Sequence, residues 1–258
     1  MIANPPEIHV ALLAVPDDAV AALYESFLDA EERVRMAPLK TPRARRLFAA
    51  AHGWLRLTLS RAAAAGGASI HPTAWRFLRD PGGRPRLAEP FDRFDFDFNL
   101  SHTDGLVAAA VAAAPGLRLG IDVESARGRE RNFVELARRF WSESEADAIE
   151  EAPEGDMRRA RFLALWTLKE SRLKATGDGL SGGLKTPVFA PPAHADAPTR
   201  DGGRLHVEDV AAAPPEAGWR YRSLRVGDAH WAAVAARGTV EADWRIRWEQ
   251  GEQGSQIE

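Results

Sequence analysis

The sequence contains no cysteine, and this absence limits the chemistry that it can perform. It excludes disulfide bonds, thiolate metal sites and a cysteine nucleophile. A strong charge of one sign is also missing, since the net charge is −3 over 258 residues. The chain as a whole is therefore unlike a basic nucleic-acid-binding protein. No apolar run approaches the roughly 20 residues that a membrane-spanning helix needs.

The first residues lack a basic stretch followed by an apolar one. We therefore expect no signal peptide, a cytoplasmic location, and neither nucleic acid nor membrane as a partner. The hydrophobic fraction of 45% and the charged fraction of 28% are typical of a globular protein with a sizeable core.

Strand and helix patterns follow one another along the chain, which predicts a mixed α+β fold. Thr41 and Pro42 begin the longest predicted helix, with Thr41 as its cap, and Ser142 with Glu145 forms a capping box. The predicted strands cover residues 8–15, 75–78, 94–99, 105–113, 117–124, 219–226 and 230–237, and the predicted helices cover residues 17–27, 31–36, 42–64, 132–140, 142–151 and 156–176.

One segment of the chain resembles another. Residues 103–111 and residues 227–235 are each a turn followed by an apolar strand of small residues. Alanine-rich segments also resemble each other by chance, so both interpretations stay open. A true duplication would give two similar α+β halves, with a natural ligand site between them.

The first candidate site is an Asp-x-Glu pair in the predicted strand 117–124. The strand period of two places Asp122 and Glu124 on one face and Ile121 and Val123 on the other. Two hard oxygen ligands side by side suit Mg²⁺, which takes one or two carboxylates together with substrate phosphates and waters. Asp-x-Glu pairs are also common at exposed strand edges, so the pair alone does not decide between these interpretations.

Two further candidates carry polar groups near apolar segments. Glu170 and Lys174 lie four residues apart and share a helix face, either as an ordinary surface pair or as a third carboxylate with a lysine directed at phosphates. Asn99, Ser101 and His102 lie at the end of an apolar strand. The histidine there has either a structural role or a ligand to face.

Basic residues crowd the first half of the chain, around the start of the long helix and around the glycine turn at residues 80–85. They form a phosphate cradle if they converge, and a solvated helix face if they do not. The residues are Arg33, Arg35, Lys40, Arg43, Arg45, Arg46, Arg79, Arg84 and Arg86. The sequence has no P-loop, GxGxxG or GxSxG motif.

In this order and spacing, these elements resemble the Sfp-type 4′-phosphopantetheinyl transferases. The matching segments are residues 79–85, 98–102, 119–124, 140–145, 166–174 and 177–180. Each segment alone is weakly specific, whereas the ordered set is specific. One departure is Arg172, which stands where many relatives carry an aromatic or aliphatic residue, and it bears on the carrier-docking surface.

The resemblance implies an α+β fold of two similar halves related by pseudo-two-fold symmetry, with the active site between them and a monomer as a sufficient unit. Residues 1–115 would be the half that binds the coenzyme A nucleotide. Residues 116–240 would be the half that binds Mg²⁺ and docks the carrier, and residues 241–258 a partly disordered extension.

The implied reaction is transfer of 4′-phosphopantetheine from coenzyme A to a serine hydroxyl of an acyl, peptidyl or aryl carrier protein, which releases adenosine 3′,5′-bisphosphate. This is the reaction of a holo-[acyl-carrier-protein] synthase. Asp122, Glu124 and Glu170 would bind Mg²⁺ or Mn²⁺, and Asp122, Glu170 and Lys174 would be catalytic, with Glu170 as the candidate base. The implied coenzyme A contacts are Arg35, Arg43, Arg79, Arg84, Asn99, Ser101, His102 and Lys174.

An acidic carrier domain would be steered by basic surface near the site. The candidates are Arg138, Arg139, Arg158, Arg159 and Arg161. Two other functions stay compatible with the sequence. A Mg²⁺-dependent hydrolase of a nucleotide diphosphate would need no carrier, and a non-catalytic carrier-binding or nucleotide-binding domain would be indifferent to chelators.

Overall fold

The predicted helices and strands form a mixed α+β fold. The computed structural model describes residues 7–15, 18–80, 83–114, 116–127, 131–179, 183–196, 204–238, 243–250 and 253–256. The helices are α1 (Asp18–Ser26), α2 (Ala30–Met36), α3 (Pro42–Ala65), α4 (Phe133–Phe140), α5 (Glu143–Glu150) and α6 (Asp156–Thr176). The strands are β1 (Glu7–Ala14), β2 (Phe77–Arg79), β3 (Pro85–Leu87), β4 (Phe96–Thr103), β5 (Leu106–Ala113), β6 (Arg118–Ser125), β7 (Val188–Phe189), β8 (Leu205–Val210), β9 (Ala212–Ala213), β10 (Trp219–Val226), β11 (His230–Arg237), β12 (Asp243–Gln250) and β13 (Gln253–Gln256).

Local signals in the sequence placed the helix starts correctly. The Thr41 hydroxyl accepts a hydrogen bond from the Ala44 amide, and Ser142 and Glu145 form the predicted capping box at α5. The predicted strand over 94–99 begins only at Phe96, because Asp95 has a left-handed backbone with a φ of 49° that interrupts the strand.

Backbone contacts divide the chain into two units. Unit 1 comprises Met1–Arg118 and Thr239–Glu258, and unit 2 comprises Leu119–Gly238. The predicted division at 115/116 and 240/241, the pseudo-two-fold relation of the halves and the partial disorder of the last residues stay predictions.

Unit 1 is built on a sheet with the strand order β13-β12-β1-β5-β4. Helix α3 packs against β5, whose small residues allow the helix to approach closely. Trp54 and Trp75 are fully buried in this core, and the Trp54 indole N–H donates to the Ala11 carbonyl at 3.0 Å. Parallel pairing of β12 with β1 was not predicted, because the partner strand lies at the other end of the chain.

Unit 2 is built on a sheet with the strand order β6-β11-β10-β8. Strands β10 and β11 form the predicted hairpin, and α6 packs against β11. Trp141 stacks on Phe162 at 4.6 Å, and both belong to a core that includes Trp231. Within the described part of the chain, no helix is long and apolar enough to cross a membrane.

Candidate active site

The site in unit 2 depends on a close approach between a strand and a helix. Gly120 lies on β6 facing α6, and a Cβ atom there would lie 1.8 Å from the Ser171 carbonyl oxygen and 2.5 Å from the Ala175 amide nitrogen. Only a residue without a side chain fits at this distance. As a result, Asp122, two residues further along β6, lies beside the last turns of α6.

An ion pair joins β6 to α6 at this point. The Lys174 Nζ atom lies 2.7 Å from the Asp122 Oδ1 atom. Asp122 is 6% exposed, so it is not the exposed strand-edge residue that the sequence left open as an alternative. The sequence left open whether Lys174 pairs with Glu170 or is directed at phosphates. The structure pairs it with Asp122, and its charge also acts on Glu170.

Two more carboxylates, those of Glu124 and Glu170, interact electrostatically with Asp122 and Lys174. Burial and then the Asp122 charge raise the pKa of Glu124 to about 7, although the Trp166 indole hydrogen bond and the charges of Arg131 and Lys174 lower it. The same two causes raise the pKa of Glu170, and Lys174 again opposes them. The arrangement therefore places three acidic groups around one ammonium, with negative charge in excess.

The donor set fits a divalent cation by its chemistry. Each raised pKa means that the ionised carboxylate lacks compensating positive charge, which a hard cation bound by oxygen ligands provides. In the described ranges, no group of three or more His, Cys, Asp or Glu side chains has the spacing needed to coordinate a metal ion. The residues that would hold it are Asp122, Glu124 and Glu170.

Strand β4 of unit 1 carries three of the predicted coenzyme A contacts. Asn99 and Ser101 are buried, and His102 is exposed at the end of the strand. Arg84 lies beside them, since its guanidinium donates to the Asp97 carboxylate at 2.6 Å and to the Phe98 carbonyl at 3.3 Å.

The other predicted basic contacts of unit 1 lie on separate elements. The Arg43 guanidinium contacts the Asp104 carboxylate, and the Arg79 guanidinium donates to the Gly83 carbonyl at 2.8 Å. Arg35 lies over the Phe48 ring and 4.0 Å from Glu32. These contacts fix the side chains within the unit, and their predicted role toward coenzyme A stays a prediction.

A buried ion pair beside the site was missed in the sequence. The Lys169 Nζ atom lies 2.8 Å from the Glu145 Oε1 atom, and the two side chains are 2% and 0% exposed. Lys169 precedes Glu170, and its ammonium lies in the core, where it also donates to the Pro187 carbonyl. The sequence does contain an indication of this pair, since Lys169 occupies a helix position that the apolar pattern assigns to the buried face.

Arg172, the departure from the family pattern, has a partner inside unit 2. Its guanidinium makes two hydrogen bonds to the Glu216 carboxylate, at 2.7 and 3.1 Å, and lies over the Trp219 ring. This contact explains how the helix accepts a charged residue at that position.

Known proteins are similar to the part of the chain that carries this site. Residues 118–235, from β6 through most of β11, match the family model described as the 4′-phosphopantetheinyl transferase superfamily. This matched segment belongs to the superfamily. The match contains the strand and the helix that carry Asp122, Glu124, Glu170 and Lys174.

Named members of the superfamily are similar to this chain over parts of their length. The 4′-phosphopantetheinyl transferase HetI of Nostoc is 32% identical over 154 residues, which are 60% of this chain and 61% of that protein. A 4′-phosphopantetheinyl transferase of Bacillus subtilis is 33% identical over 124 residues, 48% of this chain and 50% of that protein. The human L-aminoadipate-semialdehyde dehydrogenase-phosphopantetheinyl transferase is 29% identical over 173 residues, 63% of this chain and 53% of that protein. The chain thus spans about three fifths or less of the length of these relatives.

Proposed function

We propose that this protein transfers the 4′-phosphopantetheine group of coenzyme A to a serine hydroxyl of a carrier protein, with release of adenosine 3′,5′-bisphosphate. In this proposal it acts as a holo-[acyl-carrier-protein] synthase on an acyl, peptidyl or aryl carrier, in the cytoplasm and as a monomer. The family match and the names of the similar proteins support the reaction class.

The observation that carries the proposal is the acidic cluster around Lys174. Asp122, Glu124 and Glu170 come from β6 and α6, and the Asp122 charge helps to raise the pKa of the other two carboxyl groups. The Lys174 ammonium lies 2.7 Å from Asp122. A transfer between phosphate esters needs positive charge near the diphosphate and a base near the hydroxyl. This cluster provides residues for both.

The chemical step exchanges one phosphorus–oxygen bond for another. The serine oxygen forms a bond to the phosphorus that carries the pantetheine arm, and the bond from that phosphorus to the bridging oxygen breaks. The bridging oxygen leaves with its electron pair on adenosine 3′,5′-bisphosphate. Glu170 takes the serine proton, and burial together with the Asp122 charge raises its pKa, which makes it a stronger base than a solvated glutamate.

Positive charge on the diphosphate comes from two sources in this proposal. Lys174 donates to the phosphate oxygens as a point charge. Mg²⁺, or Mn²⁺ in its place, would be held by Asp122, Glu124 and Glu170 and would neutralise charge on the diphosphate. The nucleotide contacts would come from unit 1, with Arg35, Arg43, Arg79, Arg84, Asn99, Ser101 and His102.

Intact-mass spectrometry of a purified apo-carrier protein tests the proposal. The carrier is incubated with this protein, coenzyme A and Mg²⁺, with and without EDTA. We expect the carrier to gain the mass of one phosphopantetheine, and EDTA to prevent the gain. Absence of the gain on acyl, peptidyl and aryl carriers would contradict the proposal, and consumption of coenzyme A without a carrier would indicate a hydrolase instead.

A further inference from the structure

Strand β10 of unit 2 carries polar side chains on a face that is buried. Ser223 and Arg225 lie two positions apart on this strand, so their side chains share one face, and they are 0% and 1% exposed. Trp231 of β11 is paired with Arg225, and its ring centre lies 5.8 Å from the guanidinium carbon. A hydroxyl, a guanidinium and an indole therefore lie together in a region that bulk water does not reach.

A histidine covers this face of the sheet. His194 lies on a single turn of 3-10 helix, Ala193–Ala195, which packs against β8 and β10. Its carbonyl accepts a hydrogen bond from the Arg225 guanidinium at 3.4 Å, and its side chain is buried. Burial and the charges of His206 and Arg225 lower the pKa of the imidazole, and the Ser223 backbone raises it. The ring therefore lies beside Ser223 and Arg225.

The interior polar cluster, which consists of His194, Ser223, Arg225 and Trp231, contains buried atoms that lack a hydrogen-bond partner. Within the part of the chain that the structure describes, the Ser223 hydroxyl, the Trp231 indole nitrogen and both ring nitrogens of His194 have no partner of normal geometry. Nearly all buried polar groups of native proteins have a partner, which is another protein group or a bound molecule. Three such side chains at one place indicate a bound ligand.

The chemistry of the cluster is that of a set of donors. An indole N–H only donates, a neutral imidazole donates from one nitrogen, and a hydroxyl donates as well as accepts. Arg225 adds a permanent positive charge. One carboxylate, that of Glu208, lies opposite Ser223 on β8 and is half-buried. A ligand that only accepts hydrogen bonds and carries a single negative charge fits these neighbours, and the burial of the cluster requires that it is small.

We propose that unit 2 binds one halide-sized anion, such as chloride, in the interior polar cluster. The anion accepts hydrogen bonds from the Ser223 hydroxyl, the Trp231 indole N–H and one N–H of His194, beside the Arg225 guanidinium. It joins the turn that carries His194 to β10 and β11, and so stabilises unit 2. The site shares no residue with the acidic cluster around Lys174 and does not depend on the proposed function.

Thermal unfolding of the full chain tests the proposal in sodium chloride, sodium bromide and sodium gluconate at equal concentration and neutral pH. Gluconate is too large for a buried cluster. Trp231→Phe removes the indole N–H and keeps an aromatic ring, and Ser223→Ala removes the hydroxyl. Trp141→Phe is the matched control, because the Trp141 indole nitrogen is also buried without a partner in the described residues, but it lies in the stack on Phe162.

We expect chloride and bromide, at about ten times their dissociation constant, to raise Tm by roughly 3–5 °C relative to gluconate. The difference should disappear in Trp231→Phe, shrink in Ser223→Ala and persist in Trp141→Phe, which separates a specific site from a general effect of salt. A crystal grown in bromide should show anomalous scattering beside the Trp231 indole nitrogen.

Three results would overturn the proposal. One is an equal Tm of the wild-type protein in all three salts, and another is a halide effect that survives in both Trp231→Phe and Ser223→Ala. The third is a crystal in which water, and not bromide, fills the cluster. If Trp231→Phe does not fold, Ser223→Ala and the bromide crystal decide.

Discussion

The buried ion pair between Lys169 and Glu145 allows an asymmetric prediction about stability. Glu145 accepts hydrogen bonds from the Phe189 amide at 2.9 Å and from the Ser142 amide at 3.1 Å, besides its contact with Lys169. Lys169 donates to the Pro187 carbonyl at 2.9 Å. Burial lowers the pKa of Lys169, and the nearby Glu145 charge only partly opposes this effect. The buried Lys169 ammonium therefore depends on the Glu145 carboxylate for its counter-charge. Glu145 depends less on Lys169, because two backbone amides also donate hydrogen bonds to it.

Removing either partner should have very different costs. Glu145→Ala leaves a buried ammonium without its counter-charge, which costs about 3–5 kcal/mol, and it also removes the capping box, worth about 1 kcal/mol. Lys169→Met removes the charge, keeps the volume, and leaves Glu145 with its amide donors. We expect it to cost only about 1 kcal/mol, mainly for the carbonyl of Pro187 that loses its donor.

Urea unfolding followed by circular dichroism measures both changes, and hydrogen exchange of peptides from α5 and α6 assigns the loss to unit 2. Glu143→Ala is the matched control, because Glu143 lies exposed in the first turn of the same helix. It should cost less than about 1 kcal/mol. If Lys169→Met destabilises the protein as much as Glu145→Ala, the reasoning about burial and counter-charge is wrong.

Three further predictions concern the site and its surroundings. Gly120→Ala should lower the free energy of unfolding in urea by about 3 kcal/mol, because the added methyl group would overlap the Ser171 carbonyl. Gly66→Ala at a helix end should cost little. Equal effects of the two substitutions would contradict the close approach of β6 and α6. Burial lowers the pKa of His194 from 6.5 to about 4, so the unfolded chain binds a proton at a higher pH than the folded chain does. The neutral histidine therefore contributes up to about 3 kcal/mol to the free energy of unfolding above pH 6.5. This contribution is lost as the pH falls toward 4. Melting curves of His194→Phe should lack this contribution and keep that of His230, whose pKa burial also lowers to about 4, and an unchanged acid limb would refute the assignment. Asp122→Ala should lose nearly all transfer in the mass assay while it keeps its circular dichroism spectrum, and Lys174→Ala should bind coenzyme A about tenfold more weakly by calorimetry; wild-type values would count against these roles.

Features determined by neighbouring residues could be predicted from the sequence. The Thr41 cap and the capping box of Ser142 and Glu145 follow from residues three positions apart, and the hairpin of β10 and β11 follows from its turn. The β12 strand could not be predicted in this way. Its partner β1 lies at the opposite end of the chain, and no local pattern specifies such a pairing.

The assignment of the three acidic residues to a metal site stays a prediction, and the sequence did not predict the contact between Asp122 and Lys174. A helical spacing of four predicts that Lys174 lies near Glu170, but it does not predict that the lysine contacts Asp122, 52 positions away in the sequence. Asp122 is the most buried of the three carboxylates, and a charge partner is worth more where water is excluded. The contact requires β6 to touch α6, which in turn requires the missing side chain of Gly120. A glycine two residues before the first acidic residue is therefore the part of the motif that determines the geometry, although it carries no chemistry of its own.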